Sequence, residues 1–146
     1  MKYSSFTEIE GYVSARKGFQ ECIINSFWWA HEGLSFLVEM NYIWDASDEI
    51  RDNLDEPKLI TLEFFLTQSL RFENALNRSI LDKPENVNWG HREISILRVS
   101  HDHPQLSRFG VHGLDFYHAD FAWESAQRLE IVFSELRVID DPFFES

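Results

Sequence analysis

Two segments of the chain alternate apolar and polar residues in the same way. Residues 62 to 72 read Leu-Glu-Phe-Phe-Leu-Thr-Gln-Ser-Leu-Arg-Phe, and residues 129 to 138 read Leu-Glu-Ile-Val-Phe-Ser-Glu-Leu-Arg-Val, the same phrase less one residue. Alternation of this kind predicts strands covered on one face. In the first copy Leu62, Phe64, Leu66, Leu70 and Phe72 share one parity. In the second, Leu129, Ile131 and Phe133 share one parity, and Leu136 and Val138 take the other. Because parity decides the face, a bulge near Ser134 and Glu135, absent from the first copy, is needed to keep all five inward. Phe65 and Val132 fall at matching positions on the nominally polar face. That placement implies a second covering layer or, alternatively, exposure at a dimer interface.

The rest of the chain fits around these strands. Thr7-Glu8-Ile9-Glu10 has capping-box form, but Gly11 and Gly18 follow closely, so only a short helix is expected there. Residues 22 to 30 are continuous enough in Ile, Phe and Trp to suit a strand buried on both sides, and Glu32-Gly33 turns the chain into a hairpin partner. In that partner Leu34, Phe36, Val38, Met40, Tyr42 and Trp44 share a face, opposite Ser35, Glu39, Asn41 and Asp45. Pro57 closes a polar connector. Residues 73 to 82 either continue the strand or form a short helix through Leu76, Ile80 and Leu81, the helix being preferred, and Pro84 closes the segment either way. Further strands are expected over 93 to 99, 111 to 118 and 121 to 123. The pattern therefore predicts a mainly β protein with α+β as an alternative. About six largely antiparallel strands form a sandwich or curled sheet with one or two short helices. No connector resembles a long crossover helix, which argues against parallel βαβ units. The echo raises internal duplication, with halves at 20–75 and 90–140 inside one domain spanning 1–146.

Composition narrows the partners. The formal charge of -12 opposes binding to a phosphate backbone, so no nucleic acid is expected. Solubility alone can account for such acidity, and steering toward a basic partner is the sharper reading. No segment approaches the roughly 20 apolar residues of a membrane helix, and the N-terminus carries no signal-peptide run. The lone cysteine, Cys22, lies beside Ile23 and Ile24 and reads as a buried thiol, which suits a reducing, cytoplasmic setting.

Candidate chemistry is sparse. His101-Asp102-His103 places two imidazoles two residues apart, with His112 and His118 nearby, which offers a metal set on an extended strand. Pro104 favours a turn instead, and neither a cupin pattern nor HExxH is present, so no metal and no cofactor are assigned. Asp115, His118 and Asp120 are available for an acid–base cluster with a serine, but no Gly-x-Ser-x-Gly accompanies them. Asp45, Asp48, Glu49, Asp52, Asp55 and Glu56, against Arg51 alone, form an acidic loop without the ligand ladder or central glycine of an EF-hand. That loop is the candidate surface for a basic protein. Adjacent Trp28 and Trp29 must point to opposite faces. Core packing is the default for both, with an interface role for one as the alternative. Trp89 belongs to a loop, and Phe143-Phe144 form an apolar end available for homodimer contacts.

The Trp29-Ala30-His31-Glu32-Gly33 turn, the Leu34 to Trp44 strand and the phrase Ile60-Thr61-Leu62-Glu63-Phe64-Phe65 resemble small acidic bacterial proteins of the immunity families of polymorphic toxin systems. The resemblance extends over about half the chain. It implies a cytoplasmic, non-catalytic protein that binds and blocks a toxin, and it carries over no functional residue. Two alternatives stand beside this reading: a small metal-binding enzyme or sensor built on the histidines, and a structural homodimer.

Overall fold

The computed structural model describes residues 1–42, 59–87, 91–110, 113–123 and 126–141. Those residues form a mainly β fold of two antiparallel sheets. Sheet A has the order β1 (Lys2–Tyr3), β9 (Glu135–Asp140), β4 (Leu59–Phe65), β3 (Ser35–Asn41) and β2 (Ile23–Ala30). Sheet B has the order β5 (Ser69–Glu73), β8 (Arg128–Phe133), β7 (Tyr117–Ala122) and β6 (Ile96–Ser100). Nine strands thus stand among the described residues where the alternation distinguished about six, because both echo segments break in two and Lys2–Tyr3 adds a short edge strand. The two sheets do not correspond to the two halves of the chain, since β4 and β9 share sheet A while β5 and β8 share sheet B.

The echo is a pairing. Leu62 sits opposite Val138 and Phe72 opposite Leu129, so the two phrases run antiparallel along one ladder that bends from sheet A into sheet B. Between the pairs Phe65–Glu135 and Ser69–Val132 one strand passes residues 66 to 68 and the other only 133 and 134. The break expected at Ser134 is present, and it turns Leu136 and Val138 inward alongside Leu129, Ile131 and Phe133; all five are buried. The first copy does not lack such a break, and it holds the extra residue. Its irregularity is Leu66, with φ 56, followed by Thr67 and Gln68. An even step preserves parity in one strand, and an odd step reverses it in the other. Ser134 N donates to Phe65 O at 3.1 Å and Gln68 N to Val132 O at 2.7 Å, which closes the corner.

The core lies between the sheets. Phe36, Val38 and Met40 of β3 meet Ile60, Leu62 and Phe64 of β4 on one side, with Ala119, Phe121, Leu129, Ile131 and Phe133 on the other. Phe64 stands edge-on to Phe133 at 4.9 Å and to Phe121 at 5.9 Å, an arrangement that favours aromatic packing across the sandwich. Cys22 is buried.

Helix α1 (Phe6–Ala15) is longer than expected and starts earlier. Its capping box is Ser5 with Glu8, not Thr7 with Glu10: Glu8 N donates to Ser5 Oγ and Ser5 N to Glu8 Oε1, each at 3.2 Å. Ser5 Oγ also donates to Glu8 Oε1 at 3.0 Å, and this bond, with the one from Ser5 N, holds the Glu8 carboxyl below its ordinary pKa. Ile9, Tyr12 and Val13 face the core, and Tyr12 and Arg16 both bond Asp141, just past β9, at 2.6 and 2.8 Å. A 3-10 turn at Lys17–Phe19 follows, with Gly18 at φ 64 against Ile96 of β6. The second helix, α2 (Arg78–Asp82), is capped by Asn77 and buries Ile80.

The strand over 22 to 30 is not buried on both sides. Its first residues are covered, as Ile23 bridges Glu93 and Ile24 N donates to Arg92 O at 3.1 Å, but from Asn25 onward β2 is the open edge of sheet A. The strand expected over 111 to 118 begins only at Tyr117 and continues to Ala122.

Candidate functional site

The β2–β3 hairpin ends in an aromatic tip. Trp28 pairs with Leu37 and Trp29 with Phe36, so the two indoles take opposite faces as their adjacency requires. Neither is packed in the core: Trp28 is 39% exposed and Trp29 50%, with Leu34 also at 50%. The open edge explains this, because among the described residues no further strand lies beyond β2 to cover them. Between the strands His31, Glu32 and Gly33 all have positive φ, at 54, 59 and 87. Two consecutive non-glycine residues in that region carry backbone strain, which persists only where surroundings impose it. Leu34 N bonds His31 O and Thr67 N bonds Leu34 O, both at 3.1 Å, so the tip is clamped to the corner.

Beneath the tip lies a buried carboxylate. Glu63, 2% exposed on the outer face of sheet A, accepts a hydrogen bond from Ser35 Oγ at 2.5 Å. The same oxygen, Oε2, lies 3.6 Å from Arg137 Nη1 and 3.7 Å from His31 Nε2. Serine and histidine thus meet one carboxylate oxygen from two sides. In a nucleophilic triad the imidazole stands between hydroxyl and carboxylate, and that order is not present here. Arg137 also places its guanidinium 3.5 Å from the centre of the Phe65 ring, which covers Phe65 on the outer face.

The second echo glutamate has a parallel arrangement on sheet B. Glu130 Oε1 lies 3.1 Å from His118 Nε2, and the His118 ring stacks on His103 at 3.7 Å with planes 6° apart. Gln105 N donates to His103 Nδ1 at 3.2 Å, which fixes His103 as the cap of the 3-10 helix Pro104–Phe109. Val132, on the same outer face, is buried. Among the described residues His103, His118 and Glu130 are the one group of three potential ligands with donor atoms within 4.8 Å of one another. Burial lowers the pKa of His118, the neighbouring His103 lowers it further, and Glu130 and Asp120 oppose the shift.

The histidine pair expected from sequence is therefore rearranged. His103 joins His118 and Glu130, whereas His101 packs on Phe6 with ring centres 4.2 Å apart. An ion held by an imidazole lies in the ring plane about 2.1 Å from the nitrogen. Two rings stacked face to face share no such point, so the set binds metal only if one ring turns. His112 lies outside the described residues. In the proposed Asp115–His118–Asp120 cluster, His118 takes Glu130 as its carboxylate instead, and Asp115 contributes its backbone carbonyl to Ser134 Oγ at 2.9 Å. Glu130 pairs across from Asp120, diagonal to His118, a relation visible only once β7 and β8 are in register.

Asp45, Asp48, Glu49, Asp52, Asp55 and Glu56 lie outside the described residues, as do Trp89 and Phe143-Phe144. No helix among the described residues is long and apolar enough to cross a membrane. No protein-family model matches the chain, and comparisons with curated proteins and with solved structures also give no match.

Proposed function

We propose that the protein is a non-catalytic binding module of the immunity or inhibitor type that engages a basic protein partner in the cytoplasm. The observation that supports this reading is the aromatic hairpin tip: Trp28 and Trp29, one on each face, and Leu34, all exposed around a strained, clamped turn. Tryptophan is over-represented among residues that dominate protein interfaces, and exposed apolar clusters on an ordered scaffold mark contact surfaces. A preorganised turn loses little entropy on binding. The chain's charge of -12 favours a cationic partner and accelerates the encounter. In this reading Asp48, Glu49 and Asp52 of the acidic loop steer the partner, and the tip supplies the contact.

The partners to test are basic domains encoded by neighbouring genes, among which this reading expects a toxin domain to bind. Replacing Trp28 and Trp29 together by alanine is expected to weaken its binding by about 100-fold, the scale of a hot-spot loss of roughly 3 kcal/mol, with an unchanged melting temperature. Neutralising Asp48, Glu49 and Asp52 together should slow association, and raising salt should weaken it, since exposed charges are screened over about 10 Å at 0.1 M. Affinity that survives both alanines would remove the tip from the interface. Affinity indifferent to salt would remove the electrostatic argument.

A further inference from the structure

We infer that the cleft between the open edges of the two sheets is a binding site for a small aromatic carboxylate. A cavity of about 360 Å³ opens between β2 and β5, within the size range of small-molecule sites. Phe27 and Phe72 form its aromatic wall, edge to face at 4.9 Å, and Leu76 and Trp123 extend the apolar lining. This is not a collapsed gap in the core, because Phe72 and Leu76 remain 40% and 37% exposed at its rim.

Three features mark the cleft as built. First, the indole Nε1 of Trp123 is shielded from solvent and has no hydrogen-bond partner. A buried donor left unpaired is unfavourable, and an acceptor brought by a ligand would satisfy it once the indole turns toward the cleft. Second, β2 carries a bulge at Asn25, between the pairs Ile24–Met40 and Ser26–Glu39, where the strand borders the cavity. Bulges concentrate where an edge is re-aimed beside a site. Third, a hydrogen-bonded chain stiffens the floor. Gln127, 4% exposed, bonds His91 Nδ1 through Nε2 at 2.7 Å, and His91 Nε2 meets Asn74 Oδ1 at 3.1 Å.

Charge selects the ligand. The chain carries 25 Asp and Glu against 13 Lys and Arg. Even so, no Asp or Glu is among the described residues lining the cavity, and Arg92 is the one arginine or lysine among them. Arg92 is held in place through its backbone, whose carbonyl accepts from Ile24 N at 3.1 Å. A planar apolar body suits the aromatic wall, and a carboxylate supplies both a counter-charge for Arg92 and an acceptor for Trp123 Nε1. The site is independent of the hairpin tip.

The probes are 2-naphthoate and its uncharged analogue 2-naphthamide, titrated by calorimetry into the full chain. The expected result is saturable binding of the acid, tighter than that of the amide. Arg92→Gln should weaken the acid about tenfold and leave the amide unchanged, and Trp123→Phe should weaken both by about tenfold, the loss of one hydrogen bond. Leu76→Trp, which fills the cleft from its exposed rim, should abolish binding while the melting temperature is kept. The pair Trp28→Ala and Trp29→Ala should have no effect on the acid. Absence of saturable binding, or binding indifferent to both Trp123→Phe and Leu76→Trp, would overturn the site. Equal binding of acid and amide would overturn the carboxylate.

Discussion

The two glutamates that open the echo phrases occupy equivalent outward positions, and each meets a histidine: Glu63 with His31 and Glu130 with His118. Their surroundings give them different roles. Glu63 is nearly inaccessible and serves Ser35, which is fully buried, together with Arg137. Glu63→Ala should therefore cost about 3 kcal/mol in a denaturant titration, since it leaves the buried Ser35 hydroxyl without its acceptor and removes one of the two carboxylates beside Arg137, the other being Glu135. Glu63→Gln, which keeps an acceptor, should cost less. A loss below about 1 kcal/mol for the alanine variant would show that neighbours replace the carboxylate. At His118 the consequence is a dependence on pH. Its folded-state pKa lies below the ordinary 6.5, chiefly through burial and then through His103, against Glu130 and Asp120. The unfolded chain therefore binds the proton more readily, and His118 contributes stability that is complete above 6.5 and declines as the pH falls toward its lowered value. The urea midpoint should drop between pH 7.5 and 5, and His118→Gln should shrink that drop. Because the His103 and His118 rings are stacked, zinc added at pH 7.5 should leave the melting temperature unchanged; a rise would show that one ring turns to ligate it.

At the level of elements, alternation was a reliable guide to which side chains of β3 face the core, although the strand's other face is also covered at Ser35 and Leu37. The β3 strand shows Phe36, Val38 and Met40 inward as its parity requires, and Cys22 is buried as its neighbours suggested. The β2 strand was not readable in this way. An unbroken run of Ile, Phe and Trp has the same appearance whether it is covered on both faces or lies on an edge with its aromatics exposed, and only the pairing partner decides. The β5 strand was continuous with β4 by parity because the corner at 66–68 takes an even step, so nothing in the pattern marks the change of sheet. For α1 the signal was present but two residues earlier than the box that stands out, and Gly11 is tolerated because that position faces open space. The site residues were less legible still, since His118 and Glu130 meet only through cross-strand register. Gly18 makes an element-scale prediction that depends on both backbone and packing. Its φ is 64, and a Cβ built there would sit 2.5 Å from Ile96 Cγ1 and 3.2 Å from Leu97 O. Gly18→Ala should destabilise the fold by about 1–3 kcal/mol, through left-handed strain together with overpacking against β6. A neutral change in melting temperature would mean that the 3-10 turn moves away from the sheet at no cost.

On the scale of the whole molecule, the bent ladder determines how the fold comes apart. In a sandwich whose strands each belong to one sheet, the sheets are joined by side-chain packing and loops, and either is able to loosen first. Here β4 runs into β5 and β8 into β9 with no more than three residues between strands, and both crossings are backbone-bonded at the corner. Opening sheet B alone would tear Gln68 N from Val132 O and release Phe133 from the ring of Phe64 in sheet A. The two sheets should therefore behave as one cooperative unit. Ile131 is fully buried on β8 and offers the test. Ile131→Ala should cost about 3 kcal/mol, a factor of roughly 150 in the opening equilibrium. Under global opening that factor should appear equally in the slowest-exchanging amides of β7, in the same sheet, and of β3, in the other. If β7 lost protection while β3 kept it, the corner would be a hinge between two independently stable sheets. Equal loss would make the paired echo the element that fuses them and gives the hairpin tip a rigid base.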